Sequence, residues 1–399
     1  MNKTLFISWG WLLGLFTAAA FLETVFWGQM TAFTPIFLKD LGVAQKDIAY
    51  WTGVIAAIVG AAGIPFLPFW GALADRYSRQ PIIVRSFVAY LLAGILAVLA
   101  GNVWVFVIGR SIMSLSLGNS GLMMATLSER TPLNRQGFAF GLMNSAGPIG
   151  AFIGPLLGGP IVDQFGFRTL LFINVIIQLI VVTALSFGYR DTYQSGRREP
   201  ILKMAGDLIR VSFRTPRLCS VFFALFLLSA GWMLTYNYIP VVISSIYHGN
   251  NPASAIGYIL GGGGFFALIL APIIGSLADR IGFWKVLTIG AGILSALWIT
   301  PYFTRDIISF GILWAIINGI ASSIFSISFN VLATSTTDEY RGRVMSFAYL
   351  PVNLGFFFGP FIGSYFVKQD LFIIFPIALV FTVLSLFVMS YAQRQPVMT

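Results

Sequence analysis

The sequence predicts an all-α membrane protein with twelve transmembrane helices in two pseudo-symmetric six-helix bundles. The 399-residue chain is 57% hydrophobic and only 10% charged, whereas a soluble domain carries roughly 25% charged residues. A surface this poor in charge requires lipid as its solvent. A polar motif, GALADR at 71–76, recurs as GSLADR at 275–280, about half the chain later. Two copies of one apolar unit are typical of secondary transporters.

Twelve apolar runs long enough to cross the hydrocarbon layer follow one another along the chain. They lie at 8–37, 50–73, 82–101, 104–126, 137–160, 169–188, 218–243, 254–277, 285–302, 307–332, 344–367 and 371–391. The one long polar segment lies between the sixth and seventh runs, and its residues 201–211 are compatible with an amphipathic surface helix. We therefore expect an N-terminal six-helix bundle at 1–188, a cytoplasmic linker at 189–217 and a C-terminal six-helix bundle at 218–399.

The positive charges are distributed unevenly between the connections. Of the 24 lysines and arginines, 18 fall at the termini or at every second connection, and five fall at the alternate connections. The positive-inside rule then places both termini and the 71–85 loop in the cytoplasm. The net charge of +10 therefore reflects membrane topology and predicts no nucleic-acid partner. We expect a monomeric, multi-pass protein of a bacterial cell membrane.

The sequence offers no signal for an enzyme, a metal site or a cofactor. One cysteine and one histidine leave no Cys/His cluster for a metal, and no nucleophile–base pair is visible. The four glycines at 261–264 lie in mid-span and are not followed by the Lys-Ser/Thr of a phosphate loop. The energy source that we expect is an ion gradient or the gradient of the substrate itself.

The fifth run contains a regular set of small residues. It includes Gly150, Gly154, Pro155, Gly158 and Gly159, and the eleventh run repeats the pattern around 355–363. Small residues four apart let two helix backbones approach closely in lipid, and proline bends a helix. Tight packing alone explains any single glycine, but two copies at matched positions favour a functional role.

Two ionisable residues fall inside the predicted spans. Glu23 lies about fifteen residues into the first span, and Arg110 lies seven residues into the fourth. An ionisable group there is costly unless it is paired or faces water. A carboxyl near neutrality can hold a proton or a cationic substrate, so we predict that Glu23 is the proton and cation site and that Arg110 is its electrostatic partner. The alternatives are a permanently protonated Glu23 and a purely structural Arg110.

Aromatic, methionine and amide side chains in several spans are candidates for the wall of a substrate cavity. Trp27 and Met30 share the helix face of Glu23 by the i+4 and i+7 spacing. The other candidates are Met113, Asn144, Trp232, Tyr236, Asn237, Trp314 and Asn318. Such a wall suits lipophilic, cationic compounds better than sugars, although each aromatic residue is also compatible with simple helix packing.

These motifs resemble those of the major facilitator superfamily and, within it, the twelve-span drug:proton antiporters. The family's loop motif G-x-L-a-D-R-x-G-R-K is matched at Gly71, Leu73, Ala74, Asp75, Arg76 and Arg79, with Ser78 and Gln80 as departures. The antiporter motif G-x-x-x-G-P-x-x-G-G is matched in full at 150–159. In the span 4 motif R-x-x-Q-G, Arg110 is kept, while Met113 and Ser114 replace the last two residues.

The resemblance implies two bundles around a central cavity that opens alternately to each side, with spans 1, 4, 7 and 10 lining it. It also implies a cytoplasmic gate formed by Gly71, Asp75, Arg76, Arg79, Glu129, Asp279 and Arg280. In that gate Arg79 can reach Glu129 at the end of span 4, a contact worth only about 1 kcal/mol. The alternative is a loop staple with no gating role.

The function predicted from the sequence is the export of lipophilic, cationic drugs or toxic compounds in exchange for protons, by alternating access. The alternative within transport is an exporter of a specific metabolite, sugar or lipid-linked compound. A membrane sensor that retains the fold without transport is a further alternative.

Overall fold

The computed structural model describes residues 8–66, 78–116, 119–191, 215–336, 344–345 and 348–396. Every regular element within these ranges is a helix. Three residues of the predicted gate, Gly71, Asp75 and Arg76, and the predicted surface helix at 201–211 lie outside the described residues.

The first half of the chain contributes seven helices. They are α1 (Trp9–Asp40), α2 (Ile48–Gly63), α3 (Arg79–Leu99), α4 (Val103–Met113), α5 (Asn119–Arg130), α6 (Gln136–Phe165) and α7 (Phe167–Gly188). Helices α4 and α5 are the two pieces of the predicted fourth span. A short 3₁₀ turn at Ser114–Ser116 follows α4 and precedes the break.

The second half contributes another seven. They are α8 (Pro216–Ile246), α9 (Pro252–Ile281), α10 (Phe283–Trp298), the short α11 (Thr300–Phe303), α12 (Ile307–Ala333), α13 (Tyr349–Phe366) and α14 (Ile374–Gln393). The turn from α9 to α10 is a single glycine, Gly282, with φ of +99°. A side chain there would strain the backbone.

Ten helical segments among the described residues are long and apolar enough to cross a membrane. The other two predicted spans correspond to the broken pair α4–α5 and to α13, whose described part begins only at Tyr349. The predicted fold class, an all-α membrane protein built from two six-helix bundles, is therefore confirmed.

The two halves pack tightly together at one end of the bundle, which we call the distal face; it carries Asp163 and the first residues of α9. A Cβ built at Gly159 would lie 2.6 Å from the Ala253 carbonyl oxygen, and one built at Gly257 would lie 2.4 Å from the Pro155 carbonyl oxygen. Only glycine permits this approach of α6 to α9, because any side chain would overlap the facing backbone.

A carboxylate strengthens the same contact. The two oxygens of Asp163 accept hydrogen bonds from the backbone N–H groups of Ala253 at 3.0 Å and Ser254 at 2.7 Å. These N–H groups belong to the first turn of α9, which has no intrahelical acceptors for them. The negative charge also complements the helix dipole, so this contact stabilises the closed distal face.

Toward the opposite end, which we call the terminal face and which carries the N-terminus of α3 and the C-terminus of α7, the same two helices separate. A Cβ built at Gly137, Gly141 or Gly147 of α6, or at Gly275 of α9, would meet nothing within 4 Å. The described residues therefore form a structure that is closed at the distal face and parted toward the terminal face.

The substitution Gly257→Ala tests this packing. The new Cβ would overlap the Pro155 carbonyl, so we expect the distal contact to loosen at a cost of about 1–3 kcal/mol. The control is Gly262→Ala in the same helix, where a Cβ meets nothing within 4 Å. Spin labels on Lys46 and Asn250 should report a longer distance for Gly257→Ala alone, and an unchanged distance would contradict the close approach.

Candidate functional site: a central charged cavity

A cavity of about 450 Å³ lies between the two halves. Its walls come from α1, α2, α3, the α4–α5 break, α6, α8 and α13. Its polar lining consists of Glu23, Thr24, Thr31, Tyr90, Arg110, Ser114, Ser116, Asn119, Ser120, Asn144, Asn237 and Asn353. The apolar lining includes Trp27, Met113, Met124, Met143, Met233 and Phe356. The cavity wall therefore combines apolar side chains with many polar groups that converge on the interior.

Glu23 is held in the cavity wall by the helix that follows the break in span 4. The Asn119 side-chain nitrogen donates a hydrogen bond to Oε2 of Glu23 at 2.7 Å. Asn119 is the first residue of α5, and its side chain is 5% exposed. Tyr90 of α3 also lies within interaction range of the carboxyl. The acid is thus oriented by neutral donors.

Arg110 lies in the last turn of α4 and is 4% exposed. Its Nη1 donates to the sulfur of Met113 at 3.7 Å. The predicted electrostatic partnership with Glu23 is not a direct ion pair in this structure: within the described residues, no carboxylate oxygen lies within 4.0 Å of the guanidinium. Tyr90 lies near both the Glu23 carboxyl and the Arg110 guanidinium. Sequence spacing places both in mid-membrane but does not fix the angle between their helices.

Four of the predicted cavity residues line the cavity: Trp27, Met113, Asn144 and Asn237. The Trp27 ring stacks on Tyr236, with the ring centroids 5.8 Å apart and the planes at 16°. Tyr236 belongs to α8, so this stack joins the two halves directly behind the cavity wall.

Five predicted cavity residues lie outside this lining: Met30, Trp232, Tyr236, Trp314 and Asn318. Met30 is fully buried in the core, whereas the next residue, Thr31, lines the cavity. The i+7 spacing from Glu23 is therefore not sufficient to place a side chain in the lining.

The aromatic and amide residues of the second half instead form a packing network. The indole nitrogen of Trp232 donates to Oδ1 of Asn318 at 3.3 Å, and the Asn318 amide donates to the Gly263 carbonyl at 3.0 Å. Trp314 is 1% exposed. These contacts join α8, α9 and α12 and stiffen the second bundle.

Sequence reasoning missed Tyr90, Ser116, Asn119 and Asn353, all of which line the cavity. The available signal was their polarity within apolar spans, where polar groups face the protein interior. The interruption of span 4 between α4 and α5 has no comparable signal in the sequence, and Asn119, the donor to the Glu23 carboxyl, is the first residue after it.

At the terminal face, Nη2 of Arg79 and Oε1 of Glu129 form an ion pair at 2.7 Å. It joins α3 to α5 within the first half and does not itself bridge the two halves. The Arg79 backbone N–H donates to Asp191 at 2.6 Å, which caps α3. The Gln80 amide donates to the carbonyls of Ser186, at 3.0 Å, and Tyr189.

The remaining gate candidates, Asp279 and Arg280, lie exposed at the end of α9. Gln80 departs from the lysine of the loop motif, and its amide caps the end of α7 in this structure. The contacts of Arg79, Gln80 and Glu129 thus hold α3, α5 and α7 together on the terminal side of the cavity. We call this set of contacts the Arg79–Glu129 platform.

The glycines of the fifth span divide between two partners. A Cβ at Gly150 or Gly154 would lie 2.8 Å from the carbonyl oxygens of Phe21 or Val25 in α1, whereas Gly159 faces α9 across the two halves. The Gln29 amide of α1 also donates to the Gly154 carbonyl at 3.0 Å. Pro155 packs against α1 at Gly28, where a Cβ would lie 3.4 Å from its ring, and Gly158 faces the Phe33 ring of α1.

The described residues contain no group of three or more His, Cys, Asp or Glu side chains placed to hold a metal ion. The side chains that line the cavity offer a carboxyl that can exchange a proton, hydrogen-bonding groups and apolar contacts.

Two bundles around a central charged cavity define the architecture of a secondary membrane transporter. The model of the Major Facilitator Superfamily matches residues 15–300 and 221–398, and the chain belongs to this family. Among curated proteins, it is 28% identical over 370 residues to the multidrug resistance protein MdtG of Escherichia coli, across 91% of this chain and 87% of that protein.

Solved structures share the fold at low sequence identity. The nucleoside transporter NupG matches with a TM-score of 0.76 and 16% identity, over 96% of this chain and 99% of that one. A bacterial homologue of the human lysosomal transporter Spinster, in an inward-facing and occupied conformation, matches with a TM-score of 0.79 and 14% identity, over 97% of each chain. A D-xylose–proton symporter matches with a TM-score of 0.71 and 17% identity, over 94% and 97%.

Single cysteines on α1 test the extent of the cavity in a Cys219→Ser background. Ala20 lines the cavity and Met30 is fully buried. We expect a small, charged thiol reagent to label Ala20→Cys rapidly and to leave Met30→Cys unlabelled, because water reaches only the first position. Rapid labelling of Met30→Cys would show that water reaches this position and would contradict its burial outside the cavity.

Proposed function

We propose that this chain is a secondary active transporter that exports lipophilic, cationic compounds in exchange for protons by alternating access. The observation that carries the proposal is the Glu23 carboxyl in the wall of the central cavity, with Asn119 as its hydrogen-bond donor at 2.7 Å.

The surroundings of Glu23 suit both of its protonation states. The carboxylate accepts from Asn119, and the neutral acid can keep that bond through its carbonyl oxygen while its O–H donates elsewhere. Removal from water favours the neutral acid, whereas a cation in the cavity favours the carboxylate. A proton and a cationic substrate then compete for one group, which is the coupling that an antiporter requires.

The remaining wall suits a lipophilic body. Trp27 presents an aromatic surface, and Met113, Met124 and Met143 present flexible apolar side chains. Methionines adapt to ligands of different shape, and ligand pockets combine such apolar walls with polar groups that fix the orientation of the ligand. The resemblance to a multidrug resistance protein supports the same class of substrate.

Alternating access is supported by the asymmetry between the two faces. The bundles at 1–188 and 218–399, connected by the linker at 189–217, meet at the distal face and part toward the terminal face. If the terminal face is cytoplasmic, as the positive-inside bias indicates, this conformation is inward-open. The Arg79–Glu129 platform is then the surface that meets the second half, near Asp279 and Arg280, when the inner side closes.

One observation favours a second candidate, the export of a specific metabolite, sugar or lipid-linked compound. Four amides converge on the cavity: Asn119, Asn144, Asn237 and Asn353. Amides are the groups that bind hydroxyl-rich ligands, and solved neighbours include a nucleoside transporter and a D-xylose–proton symporter. The single acid in the wall favours the first proposal.

The substitution Glu23→Gln tests the proposed coupling. It keeps the shape and the hydrogen bonding of the side chain but cannot release a proton. In proteoliposomes with an imposed pH gradient, we expect proton-driven transport of ethidium to be lost while thermal stability changes little. The matched control is Asp40→Asn, at the exposed end of the same helix, which should transport normally.

Transport by Glu23→Gln at the wild-type rate would reject Glu23 as the coupling group. Transport of a sugar or nucleoside panel, with no transport of dyes or antibiotics, would favour the second candidate instead.

A further inference from the structure

The most distinctive feature of the cavity that the proposed function leaves unused is the guanidinium of Arg110. Its side chain is 4% exposed and lines the cavity. A charge that is removed from water is costly unless hydrogen bonds compensate it. The hydrogen-bond partners of this guanidinium therefore decide whether the cost of its burial is compensated.

Arginine offers five N–H donors and no acceptor. Within the described residues, Arg110 makes one hydrogen bond, from Nη1 to the sulfur of Met113 at 3.7 Å, and sulfur is a weak acceptor. Its Nε is buried and has no partner in that part of the chain. The acid in the same cavity, Glu23, does not form an ion pair with it. Most of the donor capacity is unused.

Buried polar groups in folded proteins are normally hydrogen-bonded, so a guanidinium that lines a cavity and has only one weak protein acceptor indicates an acceptor that arrives with a ligand. The nearby hydroxyl of Ser114 donates to the Ser111 carbonyl at 2.6 Å and is directed to its own helix. When no ligand is bound, water can hydrogen-bond to the guanidinium. A ligand oxygen that replaces this water accepts the same hydrogen bonds from the guanidinium.

We propose that Arg110 binds an oxygen acceptor of the substrate, so that the transported compounds carry a carbonyl, carboxylate or phosphoryl group on an apolar or aromatic body. This inference deepens the proposed function and rests on the same cavity. Glu23 would hold the cationic part of a substrate, and Arg110 would hold the acceptor. A guanidinium suits such oxygens because its planar fork donates two parallel hydrogen bonds.

A series of naphthalene derivatives with one body and four end groups tests the proposal. The probes are 4-(1-naphthyl)butyrate, its amide, 1-naphthylbutylamine and 1-butylnaphthalene. Binding to the purified full-length protein is measured by equilibrium dialysis, without any requirement for transport. We expect the carboxylate and the amide to bind at least about tenfold more tightly than the hydrocarbon, from a hydrogen bond to a charged group.

The substitution Arg110→Met should abolish that preference, since it keeps an unbranched side chain but removes every donor. Lys46→Met is the charge-matched control, because Lys46 is exposed and lies outside the cavity, and it should bind the series as the wild type does. If the carboxylate binds more tightly than the amide, the site selects anions; if the two bind equally, a neutral carbonyl suffices.

Equal binding of acceptor and hydrocarbon probes by the wild type would overturn the proposal, even if Arg110→Met fails to fold. Retention of the preference by a folded Arg110→Met protein would overturn it as well. If the wild type binds the acceptor probes more tightly than the hydrocarbon but does not bind the amine more tightly, the result counts against Glu23 as a cation site. The assignment of Arg110 then stands.

Discussion

The placement of an ionisable carboxyl in the wall of an apolar cavity is the constraint on which the rest of the molecule depends. Glu23 is expensive to keep in the membrane interior, and the fold compensates with the amide of Asn119 at 2.7 Å. That donor is the first residue of α5, the second piece of the predicted fourth span. A group that is stabilised by neutral partners can change its charge, whereas a group held in a tight ion pair is fixed in one state.

The second requirement is that the cavity has a closed end. Glycines at the contact between α6 and α9 bring the backbones close enough that a Cβ at Gly257 would lie 2.4 Å from the Pro155 carbonyl, and Asp163 caps the first turn of α9 from the other half. Such a contact has no covalent component and little side-chain entropy to lose. It would therefore suit the proposed alternating access, in which this contact is made and broken.

The sequence was sufficient to predict most of the fold, because hydrophobic length and the repeated motif depend on local composition. The cavity was less predictable. Of the candidates, Trp27, Met113, Asn144 and Asn237 line it, whereas Met30, Trp232, Tyr236, Trp314 and Asn318 lie outside the lining. The missing information is the angle and depth at which helices cross, which depends on contacts between distant residues. The hydrogen bond from Asn119 to Glu23, 96 residues apart in sequence, is an example that no local pattern encodes.

The central claim, that one carboxyl exchanges a proton for a cation, is tested most directly by proton release from purified protein in weakly buffered solution. On addition of ethidium near neutral pH, the wild type should release protons in proportion to the cation bound, because the bound cation favours the carboxylate. Cation binding by the wild type without any release of protons would contradict the exchange at Glu23.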